Sequence, residues 1–244
     1  MFHLVLLRAL VAKGQDKSLI ALRGGCNLRF YFGSIRYSED MDLDVTVMSR
    51  GTLKNKVERL LQSPIVAAPL KTRAIEVVET SSPKRTDTTQ RWKIGLRIKG
   101  IGLPIRTKVE FSRREAMTGA AFEAVGGERL RPHGITPFLA THYTTHAAIA
   151  QKIQALAGRN EPQARDVFDL NLLLARPESR ALALADPQKR SLARAIDQAM
   201  SISFDDYASK VVAYLDPGQA ALFEERSSWD AMQEAIVSRL AAWR

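Results

Sequence analysis

The chain has 244 residues, 45% hydrophobic and 25% charged, and 36 Lys and Arg against 26 Asp and Glu give it a formal charge of +10. That is the composition of an ordinary globular protein with one or two well-buried cores. Cys26 is the only cysteine, which excludes a disulfide framework and a cysteine-built zinc site. The apolar run over residues 4–12 is broken by Arg8 and too short to span a bilayer, and no small-residue cleavage site follows it. Neither a membrane segment nor a signal peptide is therefore expected, and a cytoplasmic location is.

In chain order, Phe2, Val5, Leu6, Ala9 and Leu10 recur at helical spacing over residues 2–13. Residues 18–22 read as a short buried strand and 26–32 as a helix. A loop through Ser38 leads to a strand over 41–47. Leu53, Val57, Leu60 and Leu61 again recur at helical spacing, and Pro64 is expected to stop that helix. Residues 75–79 read as a strand and 81–90, with Ser-Ser-Pro and Lys84-Arg85, as a mobile polar loop. Trp92, Ile94, Leu96 and Ile98 alternate with Arg91, Lys93, Arg97 and Lys99, which predicts a strand with one apolar and one basic face. Gly100, Gly102 and Pro104 turn it into an antiparallel neighbour over 105–112, in one mixed sheet. From Pro137 onward the pattern is helical. The expectation is an α/β core domain over 1–135 and a helical domain over 136–244 that completes the site, with the ligand in a cleft between them.

The charge is uneven. From Arg50 to Glu115 there are 16 Lys and Arg against 6 Asp and Glu, while the rest of the chain holds 20 of each and cancels. A concentrated basic region attracts polyanions, nucleic acid among them. Read alone, it could equally be a solvated surface with no partner.

The most informative stretch runs from Leu22-Arg23-Gly24-Gly25-Cys26-Asn27 to Gly33-Ser34-Ile35-Arg36-Tyr37-Ser38-Glu39-Asp40-Met41-Asp42. On a strand, Asp40 and Asp42 project to one face about 6.6 Å apart, while Met41 and Leu43 pack the other way. Carboxylates so placed repel each other unless a cation lies between them, and hard divalent ions favour oxygen ligands. The glycine pair, at the start of a helix, lets backbone N–H groups approach an anion. A phosphate-cradling turn followed by a metal-binding strand is the layout of a nucleotidyl-transfer site. Asp44 extends the acidic face but lies about 13 Å from Asp40, so it supports the site from behind. In Lys108-Val109-Glu110-Phe111 the alternation turns Glu110 away from the apolar pair. A third carboxylate on a neighbouring strand can share metal ligation and take the proton of an attacking hydroxyl.

In the helical half, Arg159 follows Lys152 by seven positions, close to two helical turns, which puts them on one face if the helix extends that far. Asn160 is expected to cap the next helix, with Pro162 and Gln163 in its first turn. Asp166 and Asp169 then neighbour each other at i, i+3. A lysine here could neutralise a leaving pyrophosphate, with an aspartate orienting it. Taken alone, the same residues could lace two surface helices together. His133, His142 and His146 have no evident metal partners, and His142 and His146 read as helix surface.

Taken together, Gly-Gly, Arg-x-Ser-x-Asp-hydrophobic-Asp, the strand around Glu110 and the pattern Lys152…Ala155…Arg159…Arg165-Asp166…Asp169 resemble the AbiEii/AbiGii-type nucleotidyltransferase toxins, which include the MenT enzymes, within the polymerase-β-type superfamily. The likeness is concentrated in residues 19–45, 106–112 and 146–174. One departure is Cys26-Asn27, where the family usually has Thr-Ala. The resemblance implies a toxin of a toxin–antitoxin pair, with a cognate antitoxin, that transfers nucleotide from a nucleoside triphosphate to RNA, in some members the 3′ end of tRNA. It implies Asp40, Asp42 and Glu110 as ligands of Mg²⁺ or Mn²⁺, and Lys152 and Asp166 as further catalytic residues. Gly24, Gly25, Ser34, Arg36, Ser38, Lys152, Arg159 and Asp169 would contact the nucleotide, although Arg36 and Ser38 could instead simply hold their loop. The alternatives are a nucleotidyltransferase acting on a small molecule or a protein hydroxyl, and a non-catalytic binding protein.

Overall fold

A computed structural model describes all 244 residues, apart from the side chains of Lys84 and Arg85. The chain divides into two compact units, residues 1–31 with 38–143 and residues 32–37 with 144–244.

The first unit carries α1 (Phe2–Leu10), β1 (Ile20–Arg23), α2 (Gly24–Tyr31), β2 (Asp40–Val45), α3 (Arg50–Leu61), α4 (Pro64–Lys71), β3 (Ile75–Arg85), β4 (Thr89–Ile98), β5 (Ile105–Arg113), β6 (Ala120–Ala124), α5 (Gly127–Leu130) and β7 (Leu139–Tyr143). The seven strands form one mixed sheet in the order β3-β4-β5-β2-β1-β7-β6. β2 runs antiparallel to β1 and parallel to β5, and β4 runs antiparallel to β5 as expected. Alternation sorts the faces. Trp92, Val109, Met41, Leu43 and Leu22 are all buried, and they meet across adjacent strands. They join Leu6, Leu7, Leu53, Val57 and Val66 of α1, α3 and α4 in one core. Each Å² of apolar area that this cluster removes from water is favourable by about 25 cal/mol. The opposite face of the same strands carries Arg91, Glu110, Asp42 and Arg23 in one row. A one-residue slip of β2 would exchange the two sets, so burial of Met41 and Leu43 fixes where the carboxylates point.

The second unit contains α6 (Thr145–Gly158), α7 (Ala164–Leu174), α8 (Asp186–Met200), α9 (Phe204–Lys210), α10 (Pro217–Ala220) and α11 (Arg226–Ala241). Leu156, Val167, Leu170, Leu173, Leu192 and Ile236 are buried, and Tyr207 stacks on Trp229 with 4.5 Å between ring centroids. The segment 32–37 is stitched into it by backbone bonds from Tyr37 N–H to Tyr214 C=O and from Asp216 N–H to Ile35 C=O.

Several expectations need correction. Residues 81–85 belong to an eleven-residue edge strand, with irregularities after Val77 and Ser81, and not to a loop. The expected role of Lys84 and Arg85 lies outside the described side chains. Pro64 ends one helix but opens another, α4, at the first position, where its missing N–H costs nothing. The region from Pro137 is not wholly helical, because β7 pairs with β1 and β6. α7 begins at Ala164 with no side-chain cap, so Asn160 does not cap it. His142 lies buried on β7, with its ring stacked on Tyr31 and Nδ1 3.0 Å from Asn27 Oδ1, and is not helix surface. Among the described residues no helix is long and apolar enough to cross a membrane.

Candidate functional site

In the first unit, β2 and β5 bring the carboxylates together. Their parallel register sets Asp42 opposite Glu110 and Asp40 opposite Lys108. Neighbouring strands lie about 4.8 Å apart, so Asp42 and Glu110 share one side of the sheet at close range. The expected pairing of three carboxylates on one face is realised in the backbone.

Two cations are already engaged there. Lys108 Nζ lies 2.7 Å from Asp40 Oδ2, and the Lys108 N–H donates to Asp40 Oδ1 at 3.1 Å. Arg91 Nε donates to Glu110 Oε2 at 2.6 Å. With the side chains in these positions, no group of three or more His, Cys, Asp and Glu among the described residues is arranged to hold a metal ion. The donor chemistry nevertheless fits a hard divalent cation, because all three groups offer carboxylate oxygen.

Gly24 explains why glycine stands beside them. Its φ is 67°, a left-handed conformation that side chains disfavour, and a Cβ there would lie 2.7 Å from Asp42 Oδ2. The glycine therefore leaves room for the Asp42 carboxylate while opening α2, whose N-terminus suits an anion. Gly25 follows in the same first turn.

The start of β2 is pinned from three directions, of which the sequence pointed only to Ser38. Cys26 Sγ and Ser38 Oγ both donate to the Asp40 carbonyl, at 3.3 and 2.9 Å, and Thr107 Oγ1 donates to the Glu39 carbonyl at 2.5 Å. Ser38 thus holds its loop, and Cys26 has a positioning role where the family usually has a hydroxyl. Asp44 is buried behind the pair. It accepts from Tyr143 at 2.6 Å and Arg114 at 3.3 Å, with Arg23 at 3.5 Å, which is the supporting place expected of it. Burial, reinforced by the bond to Asp44, pushes the Tyr143 hydroxyl well above its ordinary range.

The second unit gathers Ser34, Arg36, Lys152, Arg159, Asp166 and Asp169. Lys152 Nζ lies 2.9 Å from Asp166 Oδ1 and 2.6 Å from Asp169 Oδ2. Arg159, just past the end of α6, donates to Asp166 Oδ2 at 2.8 Å. Arg36 donates to both Asp169 oxygens, at 3.0 and 3.2 Å, and its own N–H bonds Ser34 Oγ at 3.3 Å. Both aspartates are fully buried, which excludes a mere surface ion pair. Burial alone would lower the Lys152 pKa, but the two carboxylates outweigh it and hold the ammonium charged to higher pH. Burial likewise opposes ionisation of Asp166, and Lys152 and Arg159 outweigh it, so its pKa is lowered. Three cations on two carboxylates leave one net positive charge. Helical spacing made Asp166 and Asp169 legible as neighbours, and an aspartate beside Lys152 was expected to orient it, but the spacing did not show which one pairs with it. The Arg36–Asp169 pair, 133 residues apart, had no local signal.

Residues 5–243 match the family described as "Nucleotidyl transferase AbiEii toxin, Type IV TA system". Two solved structures from Helicobacter pylori share the fold at 18% identity. JHP933 has a TM-score of 0.59 over 99% of this chain and 91% of its own. The other, provisionally described as a nucleotidyltransferase, has 0.61 over 100% and 95%. A search of curated proteins gives no match. With its mixed α/β architecture and a family match over nearly its whole length, the chain belongs to the AbiEii nucleotidyltransferase toxins of type IV toxin–antitoxin systems.

Proposed function

We propose that the protein transfers a nucleotide from a nucleoside triphosphate to the 3′ hydroxyl of an RNA, with tRNA as the favoured acceptor, in a reaction that requires Mg²⁺ or Mn²⁺. The observation that carries this is Asp42 in register with Glu110, two residues from Asp40, with Gly24 against the Asp42 carboxylate. Family membership implies a triphosphate substrate and an antitoxin partner. The basic excess over residues 50–115 supports a polyanionic acceptor.

Asp40, Asp42 and Glu110 would hold the divalent cation, which when bound supplies positive charge at the reacting phosphate and the acceptor hydroxyl. Holding it means giving up the contacts to Lys108 and Arg91. Glu110 accepts the hydroxyl proton as the new oxygen–phosphorus bond forms and pyrophosphate leaves. The N–H groups of Gly24 and Gly25 bind phosphate oxygens. In the second unit, Lys152, kept charged by Asp166 and Asp169, and Arg159 would offer positive charge to triphosphate oxygens. Arg36 and Ser34 shape the segment 32–37 more than they touch ligand, since the Arg36 guanidinium is spent on Asp169.

The test is incubation with Mg²⁺, each labelled nucleoside triphosphate in turn, and total cellular RNA. Label is expected on tRNA-sized species and absent with Glu110→Gln. Label on a protein or a metabolite, with none on RNA under any nucleotide, would overturn the acceptor assignment.

A further inference from the structure

The basic face of β4 and β5 is less uniform than its sequence implies. Arg97 is paired with Glu76 at 3.2 Å and Arg106 with Glu79 at 2.5 Å, so both are neutralised within the sheet. Arg91 pairs with Glu110 in the absence of the cation. Lys93 differs. It is exposed, has no carboxylate partner among the described residues, and stands directly opposite Lys108. Like charges facing each other across strands destabilise a sheet. Here Asp40 relieves the conflict by taking Lys108. That relief uses the same carboxylate that the proposed reaction assigns to a divalent cation.

The two demands cannot both be met by Asp40. A cation of charge +2 on Asp40 repels the Lys108 ammonium and leaves it beside Lys93, with two positive charges on one exposed face next to Glu110. Two such charges fit one phosphodiester. We propose that Lys93 and Lys108 form a subsite for a backbone phosphate of the acceptor polynucleotide, and that cation binding at Asp40 arms it by releasing Lys108. This rests on the RNA reading above and adds an order of events, with cation before acceptor. Lys93 contributes in either state and Lys108 only in the loaded one.

The test measures affinity for bulk tRNA by fluorescence anisotropy across a salt series, with the full-length protein. It compares wild type, Lys93→Met and Lys108→Met, each in EDTA and in a fixed low concentration of Mn²⁺. One lost phosphate contact lowers the slope of log affinity against log salt by about 0.7–0.9, which weakens binding about fivefold near 0.1 M salt. Lys93→Met should show that loss in both conditions, and Lys108→Met only with Mn²⁺. Lys108→Arg should restore the slope if Lys108→Met fails to fold. A wild-type slope in Lys93→Met, or the same effect of Lys108→Met with and without Mn²⁺, would overturn the subsite while leaving wild-type labelling of RNA intact. No binding and no labelling of RNA by the wild type would instead overturn the RNA reading and the subsite with it.

Discussion

Asp169 has no solvent exposure, and its two oxygens receive Arg36 in a forked contact as well as Lys152 at 2.6 Å. Asp169→Ala leaves Lys152 with Asp166, but it leaves Arg36, whose side chain is only 8% exposed, without its carboxylate. Removing one partner of such a buried pair costs about 3–5 kcal/mol, because the remaining charge is uncompensated. For a chain of this size that corresponds to a fall in Tm of roughly 6–20 °C. Arg36→Met should cost a similar amount. In the double variant both charges are gone, so the combined loss should fall short of the sum by about 2 kcal/mol or more. Urea denaturation followed by circular dichroism on the two single variants and the double one measures this. Additive losses, or an Asp169→Ala loss below about 1 kcal/mol, would refute the view that this pair anchors the segment 32–37.

Gly24→Ala places a methyl group 2.7 Å from Asp42 Oδ2 at a φ of 67°. Transfer activity should fall at least tenfold while Tm drops by only a few degrees, and an unaltered rate would show that the Asp42 carboxylate is free to move. Lys152→Ala should weaken nucleotide binding in calorimetric titration. Because Asp166 and Asp169 lose their shared cation, it should also lower Tm, and unchanged values of both would remove Lys152 from the site. Burial holds His3 at a pKa of about 4, below its ordinary 6.5. A depressed histidine favours the unfolded state as pH falls, because the unfolded chain takes up its proton first. Stability should therefore drop between about pH 6.5 and 4, by up to about 3 kcal/mol from this residue. His3→Gln should flatten that part of the Tm profile, and an unchanged profile would contradict the assignment.

What the sequence made legible was alternation and local spacing. Met41 and Leu43 between Asp40, Asp42 and Asp44 reveal a two-faced strand, and Val109 and Phe111 do the same for Glu110. What pairs with what was not legible. The partners of Asp40 and Glu110, Lys108 and Arg91, depend on strand register between segments far apart in the chain. Thr107 and Cys26, which fix the carbonyls of Glu39 and Asp40, were hidden for the same reason. β6 was missed because Ala120-Ala121-Phe122-Glu123-Ala124 lacks β-branched residues, and its strand form comes from pairing with β7. Residues 81–85 carry Ser, Pro and Lys, the residues of loops, yet lie on an edge strand, where irregular pairing accommodates a proline.

Whether Asp40, Asp42 and Glu110 hold a divalent cation is tested most directly by titration of Mn²⁺ followed by electron paramagnetic resonance, on wild type and Asp42→Asn with the same nucleoside triphosphate present. Binding by the wild type that is weakened at least tenfold in Asp42→Asn, with the Tm in EDTA within a few degrees of wild type, is the predicted result. Equal Mn²⁺ affinity in the two proteins would contradict it.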